Sequence, residues 1–134
     1  MDLLSRIRTL RDIESSACSS ALIPGRFFIY AMEFLDQYIH EGIGCDILFT
    51  LLDEDNPVQI CFALYCFSFL NQDKAKIIIE HLDDGRRVTI FPFGCIGSGI
   101  SVKQFCQRLL ENNLFLGNPL DFKNKTYHLF RQSY

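Results

Sequence analysis

Apolar and polar positions along this chain follow two different periods, and the places where the period changes mark out its elements. At the start, Leu3, Leu4, Ile7, Leu10 and Ile13 recur at helical spacing behind Asp2, with Arg6, Arg8, Arg11 and Asp12 on the opposite side. An aspartate at that position accepts a first-turn N–H, so the pattern predicts a short amphipathic helix. Ser15 to Ser20 has no periodicity and Pro24-Gly25 punctuates the chain, so residues 15–25 read as a connection that leaves room for a mobile N-terminal arm. From Arg26 to His40 the residues Phe27, Phe28, Ala31, Phe34, Leu35, Tyr38 and Ile39 repeat helically, and Gly42 stands where a left-handed C-cap is wanted. Glu33, Asp36, Gln37, His40 and Glu41 then fall on an acidic outer face.

The pattern changes between residues 46 and 93. Asp46 to Leu52 and Val58 to Leu70 are rich in Ile, Phe, Leu and Tyr around the polar turn Asp53-Glu54-Asp55-Asn56-Pro57, and strands are the reading that composition favours. Asn56-Pro57 equally suits the cap of a helix starting at Pro57, and the unbroken apolar run that follows does not decide between the two. Lys76 to Leu82 and Arg87 to Phe93 flank Asp83-Asp84-Gly85-Arg86, whose Asp-Gly pair favours a tight hairpin.

After Phe93, Gly94-Cys95-Ile96-Gly97-Ser98-Gly99 reads as a glycine-rich loop. Val102, Phe105, Cys106, Leu109 and Leu110 then share one helical face behind Ser101, which predicts a second main helix from about Val102 to Asn112. Gly117-Asn118-Pro119 makes a turn before a short last strand, Tyr127 to Phe130. With no internal repeat, the expectation is one α+β domain over residues 1–134: an N-terminal helix and connection (1–25), then a core (26–134) in which an antiparallel sheet packs with two main helices.

Composition narrows the function classes. At 49% apolar and 22% charged the chain is ordinary for a globular domain, except that thirteen Phe and five Tyr accompany no Trp. Surplus aromatic surface in a small domain often serves a partner. The formal charge is −3 and the longest basic cluster is Arg86-Arg87, which argues against direct nucleic-acid binding. Val58 to Leu70 is the longest apolar candidate, too short for a membrane span. Asp2, Arg6, Arg8, Arg11, Asp12 and Glu14 suit no signal peptide, so a cytoplasmic location is expected.

Six cysteines, at 18, 45, 61, 66, 95 and 106, lie in core-like segments, and buried reduced thiols are favoured over three disulfides. Cys61 and Cys66 have no second pair and no nearby His, which disfavours zinc, and no metal or cofactor is expected. The glycines at 94, 97 and 99 fit neither common phosphate-binding fingerprint, so a plain connection outweighs a phosphate cradle. Cys95 or Cys106 with His81 or His128 would need hydrogen-bond contact to act as nucleophile and base, and Cys106 sits on an apolar helix face. Glu80, His81, Asp83 and Asp84 read as solvent-facing. No catalytic residue is assigned, and the chain is expected not to be an enzyme.

Two stretches carry a family resemblance. Val88-Thr89-Ile90-Phe91-Pro92-Phe93-Gly94 leads into a helix closing with Leu109-Leu110-Glu111-Asn112-Asn113-Leu114-Phe115, and Phe34 to Gly44 matches the close of a first helix. Over residues 26–131 this resembles the type III secretion chaperones, small acidic cytosolic proteins with an α/β sandwich whose helix ends in a Leu-Leu-Glu-x-Asn-Leu-Phe-like sequence. The resemblance implies a dimer that keeps the N-terminal region of a secreted client extended and fit for export without ATP. It also implies that the chain, which stops at Tyr134 before the family's usual third helix, pairs with a copy of itself or a related chaperone subunit. Val102, Phe105, Leu109 and Leu110 would then contribute to the dimer seam, and Phe28, Phe34, Phe62 and Leu64 to client contact, with ordinary core packing as the alternative for each. The competing readings are a regulatory protein acting on transcription machinery, with an RNA polymerase subunit as partner, and a small viral or phage inhibitor.

Overall fold

The computed structural model describes residues 2–14, 16–17, 20–41, 45–93, 96–113 and 116. Along the chain run α1 (Leu3–Arg8), β1 (Ile13–Glu14), β2 (Ser16–Ala17), β3 (Ser20–Pro24), α2 (Arg26–Glu41), α3 (Cys45–Leu52), α4 (Pro57–Leu70), α5 (Gln72–Glu80), β4 (Arg87–Phe93), β5 (Ile96–Ser101) and α6 (Val102–Glu111). The architecture is mixed α+β. No helix among the described residues is long and apolar enough to cross a membrane.

The centre is α4. Asn56 caps it, its Oδ1 accepting the Val58 N–H at 3.0 Å, and Pro57 fills the first turn, where its missing N–H costs nothing. Every residue from Val58 to Ser68 is buried. A helix without a polar face must be covered all round, and α2, α3, α5, α6 and β4 cover this one. Phe27 of α2 meets Phe62 edge-on at 5.3 Å and Tyr65 at 5.7 Å. Gln59 and Ser68 are buried polar exceptions, and both are satisfied: Gln59 Nε2 donates to the Arg8 carbonyl at 2.8 Å, and Ser68 Oγ to the Tyr65 carbonyl at 2.6 Å.

Three segments expected as strands are therefore helices. Residues 58–70 take the helical option that Asn56-Pro57 allowed, and residues 46–52 lie within α3. Residues 76–82 fall on the end of α5 and its C-cap, His81. Asn71 starts α5 by accepting the Lys74 N–H at 3.1 Å, and the helix buries Ala75 and Ile79, one turn apart. The run Ile77-Ile78-Ile79 hides that period, because Ile77 faces outward. The apolar stretch of α4, closed on every side, is satisfied equally by either backbone, so its cap Asn56 rather than composition decided it, as Asn71 did for α5.

With α5 helical, Asp83–Arg86 is no hairpin turn but the link from α5 to β4. Asp84 holds it: its carboxylate accepts the Arg86 N–H at 2.9 Å and pairs with the guanidinium at 2.7 Å, bonds that hold its pKa below the usual range. Arg86 also donates to the Asp55 carbonyl. The hairpin is β4–β5, with Thr89 opposite Gly99 and Ile90 opposite Ser98, so much of the expected glycine-rich loop is strand. β1 joins the other side of β4 in parallel, Ile13 opposite Ile90, giving the order β1-β4-β5 and a mixed rather than purely antiparallel sheet. β2 and β3 pair within the segment expected as a connection. Gly42, Cys18, Cys95 and the expected strand 127–130 lie outside the described residues.

α1 is capped by Asp2 as expected, its carboxylate accepting the Ser5 N–H at 2.8 Å, but the helix ends at Arg8. Its trailing carbonyls are taken up by the start of α4: besides Gln59 on Arg8, Asn56 Nδ2 donates to the Leu10 carbonyl at 3.0 Å. Glu33, expected on an outer face, is buried, because α2 is covered from Phe27 to Leu35. Arg6 reaches it from α1, Nη2 to Oε2 at 2.9 Å, while its guanidinium lies over the Tyr30 ring. α6 is where the sequence places it. Ser101 and Gln104 form a capping box, and Val102 and Lys103 donate their N–H groups to the carbonyls of Arg86 and Asp84.

Two sets of substitutions follow from this packing. Arg6→Met strands the Glu33 carboxylate at 7% exposure and is expected to cost about 3 kcal/mol in denaturant unfolding, most of it recovered when Glu33→Leu is added. Phe105→Asp or Leu109→Asp, by burying an unpaired charge, abolishes the cooperative thermal transition, whereas Leu110→Asp on the exposed side of the same helix leaves it within about 0.5 kcal/mol of wild type.

Candidate functional site

The fold separates the residues proposed as binding contacts from the surface. Val102, Phe105 and Leu109 are buried on α6 against α4, and only Leu110, at 45% exposure, is available to a second subunit. Phe28, Phe34, Phe62 and Leu64 are all buried, because the two helices that carry them, α2 and α4, are enclosed. They form part of one core with Leu3, Ile7, Ile90 and Leu116, and none offers a face to a client in this fold.

Three of the six thiols are equally enclosed. Cys61, Cys66 and Cys106 are free and buried. Burial pushes the Cys61 and Cys66 thiols well up, and pushes Cys106 to about 12. Cys106 and His81 do border one cleft between α5 and α6, along with Leu82 and Leu110. No hydrogen bond joins the two side chains; the His81 ring nitrogen Nδ1 lies 2.8 Å from the Ile77 carbonyl instead. A thiol of that basicity stays protonated at neutral pH. Among the described residues no group of three or more His, Cys, Asp or Glu is placed to hold a metal ion.

The surface feature that the backbone builds is the outer edge of β5. The Val102 N–H donates to the Arg86 carbonyl, which fixes the phase of the antiparallel ladder. The pairs Val88–Ile100 and Ile90–Ser98 share that phase and bond to each other, while Gly99, opposite Thr89, falls on the alternate phase. The N–H and C=O of Gly99 therefore point away from β4. Ser101 has the same outward phase, and its N–H is closed off by Gln104 Oε1 at 3.0 Å. Among the described residues no strand lies on that side of β5.

A groove of about 410 Å³ follows this edge, within the range of ligand-binding clefts. Ser98, Gly99 and Ile100 of β5 line it together with Gln104, Gln107 and Arg108 of α6. Arg87 enters from β4, and Glu111 also lines the groove. The glycines make the arrangement possible. A Cβ on Gly97 would lie 2.5 Å from the Phe91 ring, and one on Gly99 would lie 3.0 Å from the Arg87 guanidinium. Phe91 and Arg87 thus lie over these glycines, the side chains of one strand filling the space left bare on the next.

Reasoning from the sequence missed this site. The signal was the spacing of Gly97 and Gly99, two apart, which is the strand period with one face left bare; taken as a loop, it carried no such meaning. No protein-family model, no curated protein and no solved structure matches the chain.

Enclosure of the thiols gives a direct test. Native protein treated with iodoacetamide at pH 8 is expected to leave Cys61, Cys66 and Cys106 unmodified over hours, with all three labelled after denaturation, as read by peptide mass spectrometry.

Proposed function

We propose that the chain is a non-enzymatic protein-binding subunit that holds an extended segment of a partner along the outer edge of β5. The observation that carries this reading is the outward-facing N–H and C=O of Gly99 in the lining of a groove. A strand edge left without a neighbour binds extended chains through main-chain hydrogen bonds, with flanking pockets reading the side chains. In the form the sequence resemblance implies, the protein is a cytoplasmic chaperone of the type III secretion kind with a chaperone-like sandwich, and the segment is the N-terminal region of an export client.

The contacts differ from those first expected. Client binding moves from the enclosed Phe28, Phe34, Phe62 and Leu64 to β5 and the facing side of α6. A dimer seam through α6, with a copy or a related subunit, would use Leu110 with Ile79 and Leu82, which border the cleft between α5 and α6. The two clefts meet α6 on neighbouring sides and share Gln107, so a subunit at Leu110 and a client at β5 would use mostly different residues.

Co-expression with neighbouring genes, light scattering and mass spectrometry of what co-purifies identify the partner, and amide hydrogen exchange locates it. The expected result is a stoichiometric complex in which residues 97–101 gain protection. A complex that protects other segments and leaves 97–101 exchanging as before would sink the edge as the binding site, and a chain that stays a partner-free monomer would count against the chaperone reading.

A further inference from the structure

We propose that the β5 groove selects an acidic segment, an extended stretch of a partner protein with carboxylates on alternate residues, through Arg87 and Arg108. This rests on the reading of β5 as a binding edge and adds what that edge recognises. The two guanidiniums line one groove from different elements, Arg87 from β4 and Arg108 from α6, and Gly99, with its outward backbone, lines it too. Neither side chain makes an ion pair or hydrogen bond with the described residues, although the chain as a whole carries a net charge of −3. Other arginines have partners within the fold: Arg6 meets Glu33, Arg8 meets Glu54, Arg86 meets Asp84, and Arg11 donates to the carbonyls of Arg8 and Leu10. Arg87 and Arg108 have no such partner among the described residues.

The placement suits a strand. Arg87 lies flat over Gly99, so its charge sits beside the main-chain groups that would pair with an incoming backbone. Side chains of an added strand alternate faces, and those on the Arg87 side recur every second residue. Guanidinium groups match carboxylates in both charge and fork geometry, which lysines would not do as well. Glu111 opposes an acidic ligand at its own position and keeps the groove from being uniformly positive, so the carboxylates must fall near Arg87 and Arg108 rather than anywhere along it.

The test is selection of a displayed random octapeptide library against the immobilised full-length chain, followed by fluorescence anisotropy on the best binders. Selected peptides are expected to be enriched in Asp and Glu at alternate positions. Changing those residues to Asn and Gln should weaken binding about tenfold, and Arg87→Gln or Arg108→Gln should each weaken it about three- to fivefold, a loss that 0.5 M salt reproduces. Thermal melting and circular dichroism of both variants should stay close to wild type, since both side chains are exposed and neither makes a hydrogen bond or ion pair with the described residues. N-methylation of alternate peptide amides should abolish binding if the backbone is paired. Selected peptides without acidic enrichment, bound equally by wild type and both arginine variants yet still lost on N-methylation, would overturn the charge selection and leave the binding edge standing. Peptides indifferent to N-methylation, or no selected peptides at all, would overturn both.

Discussion

Everything in this fold answers to one constraint, that α4 has no face fit for water. From Val58 to Ser68 it is buried without a break, and only its two ends carry the polar groups that fix its position. A helix of that kind is a poor guide to its own orientation, since apolar burial is non-directional and any rotation about its axis buries much the same area. Orientation comes from the few polar atoms: Asn56 and Gln59 tie the first turn to the carbonyls of Leu10 and Arg8, and Asn113 Nδ2 donates to the Ser68 carbonyl at the last. These bonds are worth little individually, but leaving any of them unmade in the core would be expensive, and that asymmetry gives them their control over register.

The same logic explains why α1, only six residues long, is part of the core. So short a helix is unstable alone in water. It is held by Leu3 and Ile7 beneath it, by α4 side chains on its trailing carbonyls, and by Arg6 on Glu33. The ion pair is imperfect, since Arg6 Nε is buried without a hydrogen-bond partner. A pair of that quality contributes little net stability, but it penalises any arrangement in which α1 leaves α2 with Glu33 still enclosed. Its role is to specify the position of α1.

How far the sequence revealed this depended on whether the deciding residues were polar. Asp2, Asn56-Pro57 and Ser101 are caps with defined chemistry, and each marks a helix start where the structure has one. The α6 face of Val102, Phe105, Cys106 and Leu109 was legible because polar residues interrupt it at the helical period. In α4 burial on all sides erased the period, and in α3 and the isoleucine run of α5 apolar residues such as Phe49 and Ile77 stand on the exposed side and hide it, so β-rich composition misled in all three. Glu33 misled for the opposite reason: a charge usually marks a solvent face, and its partner, Arg6, lies 27 residues away. Of the candidate site, the glycines were visible but their meaning was not. Whether Gly97 and Gly99 are loop or strand depends on pairing with β4, which is non-local information.

An exposed strand edge is ordinarily a hazard, because it templates pairing with any other edge, including the same edge of another copy. β5 manages this in a way that bears on its choice of partner. Its far end is closed by Gln104, which takes the Ser101 N–H, so the segment left to pair is short. Arg87 and Arg108 flank what remains. If two copies met edge to edge, the two-fold symmetry of that contact would bring four guanidiniums into one seam against two Glu111 carboxylates among the residues that line the groove. An acidic strand meets the opposite situation. The same two charges therefore exclude the self-pairing that would bury the edge and admit the segment that would use it, and one pair of residues provides both the repulsive and the attractive part of specificity.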